Sequence, residues 1–315
     1  MNQPWAFLNG RMIPAAELAI PAYDAGFVLG ATVSEQLRTF GGKLFELEKH
    51  VARLRRGLEI TTIDAGCTTD QLATWAHELV AANFQELDPA DDLGLSIFVT
   101  PGPYATLAPP DVPRRATIGM STYPLPFHMW AGKYEAGEHL MTSSVRQVST
   151  DSWPRELKCR SRMHYYLAEK EVRRQSHDAR PLLLDEMGFV NETPTANVVG
   201  YRHDQNVVRG GMSLVVPVPS NVLFGVSQAV VTRLAKEQGI APSSTGNNFR
   251  PHELAERAAE LWLTSTPFCL LPVVKLDDAP IGDGRPGAMY RKLLAAWSEE
   301  VGVDIVEQAR RFSHR

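Results

Sequence analysis

The run Thr32-Val33-Ser34-Glu35-Gln36-Leu37-Arg38-Thr39-Phe40 alternates at period two, and Gly41-Gly42 turns the chain back into Lys43-Leu44-Phe45-Glu46-Leu47. Such alternation, closed by a glycine pair, predicts a hairpin strand with one buried face. A second apolar run, Trp5 to Ile13, is broken by Asn9-Gly10, another strong hairpin signal. The chain therefore begins as strands joined by tight turns. Helical spacing follows from Leu47 to Leu58 and again through Leu72, Trp75, Leu79 and Phe84. Leu93 to Thr100 reads as a central strand leading into a Pro/Gly-rich stretch, residues 101–113, a candidate substrate lid.

At 315 residues the chain exceeds a typical single core, and 44% hydrophobic content suffices for a sizeable one. Tyr123-Pro124-Leu125-Pro126-Phe127 is expected to break regular structure, because each proline removes a donor. The expected division is a domain over 1–123, a linker over 124–130 and a domain over 131–315. Beyond the break we expect a helix from Ser161 to Gln175, a hairpin across Leu182–Thr193 and a helix from Val226 to Gln238. A short helix from Glu253 to Glu260, a strand from Leu261 to Thr266 and a last helix from Ala288 to Val301 complete the pattern. Strands in hairpins with helices between them indicate α+β.

The net charge of −4 is too small to signal a nucleic-acid or membrane surface. Cys67, Cys159 and Cys269 form neither a paired framework nor a zinc spacing, so no metal is expected and a reducing compartment fits. The opening Met1-Asn2-Gln3-Pro4-Trp5 lacks a signal pattern, and no apolar run reaches spanning length. The expected location is the cytoplasm.

The chemistry centres on Lys158, just ahead of a helical pattern, and Glu192, in the polar turn that follows a hairpin. A lysine in an apolar pocket can lose its proton and attack an aldehyde. A carboxylate held beyond it can pair with a protonated pyridine nitrogen. Together they are the two ends that pyridoxal 5'-phosphate requires. An anion cradle has three candidate sources: Gly225-Val226-Ser227 at a helix start, Thr264-Ser265-Thr266 at a strand end, and Arg53. Each piece alone has a plainer reading. Gly-x-Ser is usually a simple cap, the Thr-Ser-Thr end is ordinary turn chemistry, and arginines are mostly surface residues.

The order and spacing of these segments resemble the class IV aminotransferases, the fold-type-IV pyridoxal-phosphate enzymes that include branched-chain and D-amino-acid aminotransferases and aminodeoxychorismate lyases. The resemblance spans nearly the whole chain. It runs through Asp24-Ala25-Gly26-Phe27, Glu35, Gly42-Lys43-Leu44-Phe45 and His50-Val51-Ala52-Arg53-Leu54. It continues through Lys158 with Ala168, then Leu184-Asp185 with Gly188, Val190, Glu192 and Asn197. Leu223-Phe224-Gly225-Val226-Ser227, Leu263-Thr264-Ser265-Thr266 and Ile281-Gly282-Asp283-Gly284-Arg285 follow in register. The resemblance implies a small N-terminal α/β domain, a larger C-terminal one, a site between them and a homodimer. It also implies that Lys158 forms the Schiff base with the cofactor and moves the proton at the substrate Cα. Glu192 would meet the pyridine nitrogen, and Arg53, Val226, Ser227 and Thr266 would hold the phosphate.

Departures from the family concern the substrate. Ser265-Thr266-Pro267 stands where the branched-chain enzymes have Gly-Thr-Ala, and Pro267 has no N–H to offer a carboxylate. Met163 replaces a tyrosine five positions after the lysine, so His164, Tyr165 or another residue would have to stand in for it. Gln228 replaces an arginine after the phosphate turn. The carboxylate ligand is then expected to be Arg38, with Arg160 and Arg162 as further candidates and an ion pair as the plainer role for Arg38. Ser265 and the lid residue Tyr104 complete the expected substrate contacts. The expected activity is transamination between a hydrophobic amino acid or amine and a 2-oxo acid. The alternatives are a lyase of the aminodeoxychorismate type and a silent cofactor-binding protein.

Overall fold

Asn9 and Gly10 adopt the left-handed backbone (φ 49° and 88°) that a two-residue hairpin turn requires. They join β1 (Trp5–Leu8) to β2 (Arg11–Pro14), with Leu8 opposite Arg11. The computed structural model describes residues 3–204, 211–218, 222–243 and 248–314; Met1 and Asn2 of the opening segment lie outside them. The described residues form two compact units, one of residues 1–125 with 156–162 and one of residues 126–155 with 163–315.

In the first unit a short turn, α1 (Ala25–Val28), precedes β3 (Val33–Phe40), which Gly41 and Gly42 return into β4 (Lys43–Leu44). Helices α2 (Leu47–Thr61) and α3 (Thr69–Phe84) follow, then β5 (Leu93–Thr100) and β6 (Thr117–Pro124). The six strands lie in the order β2-β1-β6-β5-β3-β4, and every pairing is antiparallel. Period-two alternation has a direct result here. Val33, Leu37, Leu95, Ile97, Val99, Ile118 and Met120 share one core with Val51, Leu54 and Leu79 from the two helices.

The second unit holds α4 (Lys133–Ala136), β7 (Glu138–Thr142), α5 (Met163–Gln175) and β8 (Ala179–Leu182). Next come β9 (Glu192–Thr193), β10 (Ala196–His203), β11 (Met212–Val215), α6 (Val226–Glu237) and β12 (Ala241–Pro242). The chain continues with α7 (Pro251–Arg257), β13 (Ala258–Ser265), β14 (Cys269–Leu276) and β15 (Ala279–Pro280). It ends in α8 (Ala288–Val301) and α9 (Ile305–Arg311). The sheet order is β12-β11-β10-β13-β14-β7-β8, with β9 on β10 and β15 on β14. Parallel pairing is confined to β11–β12, β14–β7 and β7–β8. Helices α6 and α8 pack on β13, burying Val230, Val231, Leu293 and Trp262.

Several expectations need correction. The paired prolines do not end regular structure at Tyr123: β6 continues to Pro124, which pairs with Leu93 at the strand end, where a missing N–H is tolerated. The helix expected over Glu253–Glu260 stops at Arg257, because Ala258 and Glu260 are drawn into the ladder with β10. Glu192 lies in a strand rather than a polar turn. Helix α5 starts at Met163 instead of Ser161, since Glu156–Arg162 clusters with the first unit and not with residues 131–315. Helix α9 was not expected, although Asp304 caps it by accepting from the Val306 and Glu307 N–H groups. No helix among the described residues is long and apolar enough to cross a membrane.

Candidate active site

The first unit assembles the lysine segment against β3. The Ser34 N–H donates to the Lys158 carbonyl at 2.9 Å, and the Arg160 N–H donates to the Thr32 carbonyl at 3.0 Å. Cys159 thereby sits opposite Val33 in an antiparallel bridge. The Ser161 hydroxyl donates to the Gly30 carbonyl at 2.8 Å. These bonds hold Lys158, half-buried, in extended backbone at a strand edge.

Beneath β3 lies a charged triad. The Glu35 carboxylate, fully buried, accepts from Arg53 Nε at 2.6 Å and Arg53 Nη2 at 2.8 Å. His50 Nδ1 approaches Oε2, the oxygen that also accepts from Arg53 Nη2, at 2.8 Å. His50 and Arg53 are one turn apart on α2, so one helix face delivers both. Burial drives the Glu35 pKa up, but the Arg53 charge and the hydrogen bonds from Arg53 and His50 outweigh it and hold the group at about 2. Burial lowers the His50 pKa, against the upward pull of Glu35. The pair is therefore an ionised Glu35 on Arg53, with neutral His50 donating from Nδ1, because an ionised carboxylate can only accept. Arg53 is no loose surface arginine.

The second unit brings together the other motifs. Glu192 on β9 faces Asn197 on β10, which faces Thr264 on β13, so three segments distant in sequence form one row across the sheet. The Tyr165 hydroxyl donates to Glu192 Oε1 at 2.7 Å, and Gln147 Nε2 donates to the same oxygen and to the Tyr165 hydroxyl. Asn197 Nδ2 donates to the Leu223 carbonyl at 2.8 Å, tying the row to the entry of α6. Gly225 caps that helix without a side-chain hydrogen bond, and Val226 and Ser227 are buried behind it. A Cβ at Gly225 would come within 2.1 Å of Asn197 Oδ1, so only glycine admits this approach. Ser265 donates to the Thr195 carbonyl at 2.6 Å, which closes the strand end beside Thr266.

Other expected residues fall elsewhere. Arg38 is 1% exposed, packs over the Phe40 ring at 4.0 Å and lies 3.9 Å from Asp92, while its Nε donates to the Thr39 carbonyl. It makes the ion pair that was its plainer expected role, with Asp92 as the acid. Tyr104 is half-buried, and its N–H donates to the Tyr23 carbonyl, anchoring the 101–113 loop. Met163 is 70% exposed, whereas Tyr165 touches Glu192. Sequence reasoning named Tyr165 only as one possible replacement, gave His50 no role of its own and missed Gln147 altogether.

The donor set fits pyridoxal 5'-phosphate. An uncapped helix N-terminus behind a glycine suits a phosphate, and a buried carboxylate suits a pyridinium nitrogen. Thr264 Oγ1 and Gln228 Oε1 are buried here without a hydrogen-bond partner, which leaves polar capacity at the same place. The fold is that of the branched-chain aminotransferases. Over 95% of this chain and 94% of the other, it superposes on the Escherichia coli branched-chain amino acid aminotransferase with a TM-score of 0.81 at 19% identity. The T.th. branched-chain amino acid aminotransferase solved with pyridoxamine 5'-phosphate gives 0.81 at 21% identity, over 96% and 95% of the two chains. Among curated sequences, the Bacillus licheniformis D-alanine aminotransferase is 26% identical over 299 residues, 93% of this chain and 95% of that protein. The amino-transferase class IV family model matches residues 32–276, and the chain belongs to that family. It is a pyridoxal-phosphate-dependent aminotransferase, acting on amino donors and 2-oxo acids.

Two outcomes follow from the second unit's geometry. Gly225→Ala should weaken cofactor binding about tenfold or more, since the methyl must displace Asn197 from the helix entry; titration of the apoprotein with cofactor measures it. Glu192→Gln keeps the shape but removes the charge, and should lower kcat about 10–100-fold, the worth of one charge-assisted hydrogen bond. Unchanged steady-state rates would remove Glu192 from the ring-nitrogen role.

Proposed function

We propose that Lys158 and Arg53 of the first unit and Glu192, Val226, Ser227 and Thr266 of the second hold one cofactor, and that Lys158 is the amine that carries it. When bound, the cofactor supplies an aldehyde that accepts amino groups and a ring that withdraws electrons from the substrate Cα. Lys158 moves the proton at that carbon. Glu192, oriented by Tyr165 and Gln147, keeps the ring nitrogen protonated. Arg53, held by Glu35, and the first-turn N–H groups of α6 anchor the phosphate and resist tilt of the ring. The row Glu192–Asn197–Thr264 beside Gly225 carries this reading, because it gathers the expected nitrogen partner and phosphate turn within one unit.

The amino donor is hydrophobic: the 101–113 loop carries Leu107 at 58% exposure and several prolines. The protein works as a cytoplasmic homodimer. Exposed Phe27, Leu29 and Leu107 on the first unit are the apolar surface that a second copy would cover, and three free cysteines suit a reducing compartment. Borohydride reduction of the holoenzyme followed by peptide mapping tests the centre of this reading. The expected result is a phosphopyridoxyl label on Lys158; a label on any other lysine overturns it.

A further inference from the structure

Strand parity sorts the first unit's side chains into two faces. Val33, Leu37, Leu95, Ile97 and Met120 fill the helix-covered core, so Ser34, Gln36, Ser96, Ser121 and Tyr123 occupy the opposite face. Residues directly opposite in an antiparallel pair share a face, which places Cys159 with Val33. Leu157, two residues back, packs on the same core. Lys158 and Arg160, at the alternate positions, then leave the backbone towards the other face, while the charge of the long Lys158 side chain still acts on His50. Arg160 confirms this: its Nη2 donates to Ser96 Oγ at 2.7 Å.

Arg160 differs from the arginines carried by β3 and α2 of this unit, each of which has an acid. Arg53 has Glu35, Arg38 has Asp92 and Arg56 has Glu156, but no carboxylate among the described residues pairs with Arg160. The charged and titratable groups nearest in effect are Arg162, which repels it, and the Tyr123 phenol. The same face carries Ser34 Oγ, buried without a hydrogen-bond partner. A planar guanidinium with hydroxyl donors around it and no acid is a receptor for a bidentate anion.

We infer that Arg160, seated on Ser96 and beside Tyr123, binds the α-carboxylate of the amino donor and of the 2-oxo acid, two residues from the amine that carries the cofactor. The inference rests on the Lys158 reading for its meaning in catalysis. Extended backbone puts side chains at i and i+2 about 7 Å apart at their roots. That spacing suits an amino acid, whose nitrogen and carboxylate leave the same carbon. The assignment gives the enzyme a preference for amino acids over simple amines.

The test compares 4-methylpentanoate with its neutral isostere 4-methylpentanamide, each titrated calorimetrically into the holoenzyme. The wild type should bind the acid at least about tenfold more tightly than the amide, and Arg160→Gln should abolish the difference. Arg160→Lys should restore part of it, since a point charge attracts without the fork. For turnover, Arg160→Gln should raise KM for leucine about 10–100-fold while leaving 3-methylbutylamine unchanged. A wild type that binds acid and amide equally overturns the inference, as does a variant that keeps the preference. Equal loss for leucine and the amine would make Arg160 structural and overturn it too. Cofactor absorbance and melting temperature, read on each variant, check that the fold survives. A borohydride label on a lysine other than Lys158 defeats the Lys158 reading instead, and the acid-to-amide ratio still decides this one.

Discussion

Lys158→Ala should lower transamination at least about a thousandfold, because a positioned proton-transfer group alone contributes roughly 10²–10⁴-fold and we propose that the same amine also carries the cofactor. The variant should still bind cofactor through its phosphate, so absorbance would report occupancy while borohydride leaves no label on the chain. Single-turnover mixing with an amino donor separates the two effects. A variant that converts donor within tenfold of the wild type would show that another base does the work. Folding should be little affected. The backbone of this segment is held by hydrogen bonds with Ser34 and Thr32, which the substitution leaves in place.

Glu35→Gln should cost about 3–5 kcal/mol of stability, because it strands the Arg53 guanidinium without its counter-charge in a buried site. The pH dependence follows from two lowered pKa values with different meanings. Glu35 is held at about 2 against an ordinary 4.5, so its stabilisation is complete above 4.5 and is lost as pH falls through about 2. His50 is lowered from 6.5, so the unfolded chain takes up a proton that the folded chain refuses, and stability begins to fall as pH drops below 6.5. Denaturant midpoints measured from pH 7.5 to pH 3 should decline in both windows for the wild type. In Glu35→Gln the lower window should flatten. If the wild type and the variant lose stability in parallel across both windows, the triad is not what sets acid sensitivity. Cofactor affinity should fall in the same variant, since Arg53 loses the carboxylate that orients it.

The two stability windows also bear on the phosphate contact proposed for Arg53. A neutral His50 leaves one negative and one positive charge in the triad, so Arg53 is neutralised locally yet remains fixed in direction. An arginine held this way needs no side-chain ordering when a phosphate arrives, which is where much of the cost of binding otherwise lies.

Much of the architecture was legible because it is written in local energetics. Asn9-Gly10 and Gly41-Gly42 allow φ above zero, and so dictated their hairpins. Helix α8 ran from Ala288 to Val301 as its apolar spacing required, and Gly225 opened α6 where the motif said. Local patterns also mark chemistry by residue type, which is why Lys158, Glu192 and Arg53 could be singled out. The failures have one cause. Whether Ala258–Glu260 stays helical, or whether Pro124 ends a strand, depends on a partner strand that is far away in the chain.

Residue types and short-range spacing therefore determined the hairpins and the main helices, the order of motifs along the chain carried the resemblance to the family, and residue chemistry singled out the candidate groups. Only the tertiary structure decided which groups meet. It alone set the register that lines Glu192 with Asn197 and Thr264, took Glu156–Arg162 to the edge of β3, and buried Arg38 against Asp92 while leaving Arg160 without an acid. A side chain's partners are fixed by strand pairing between remote segments, and that pairing free energy is summed over whole ladders and cores, so no short window of sequence contains it.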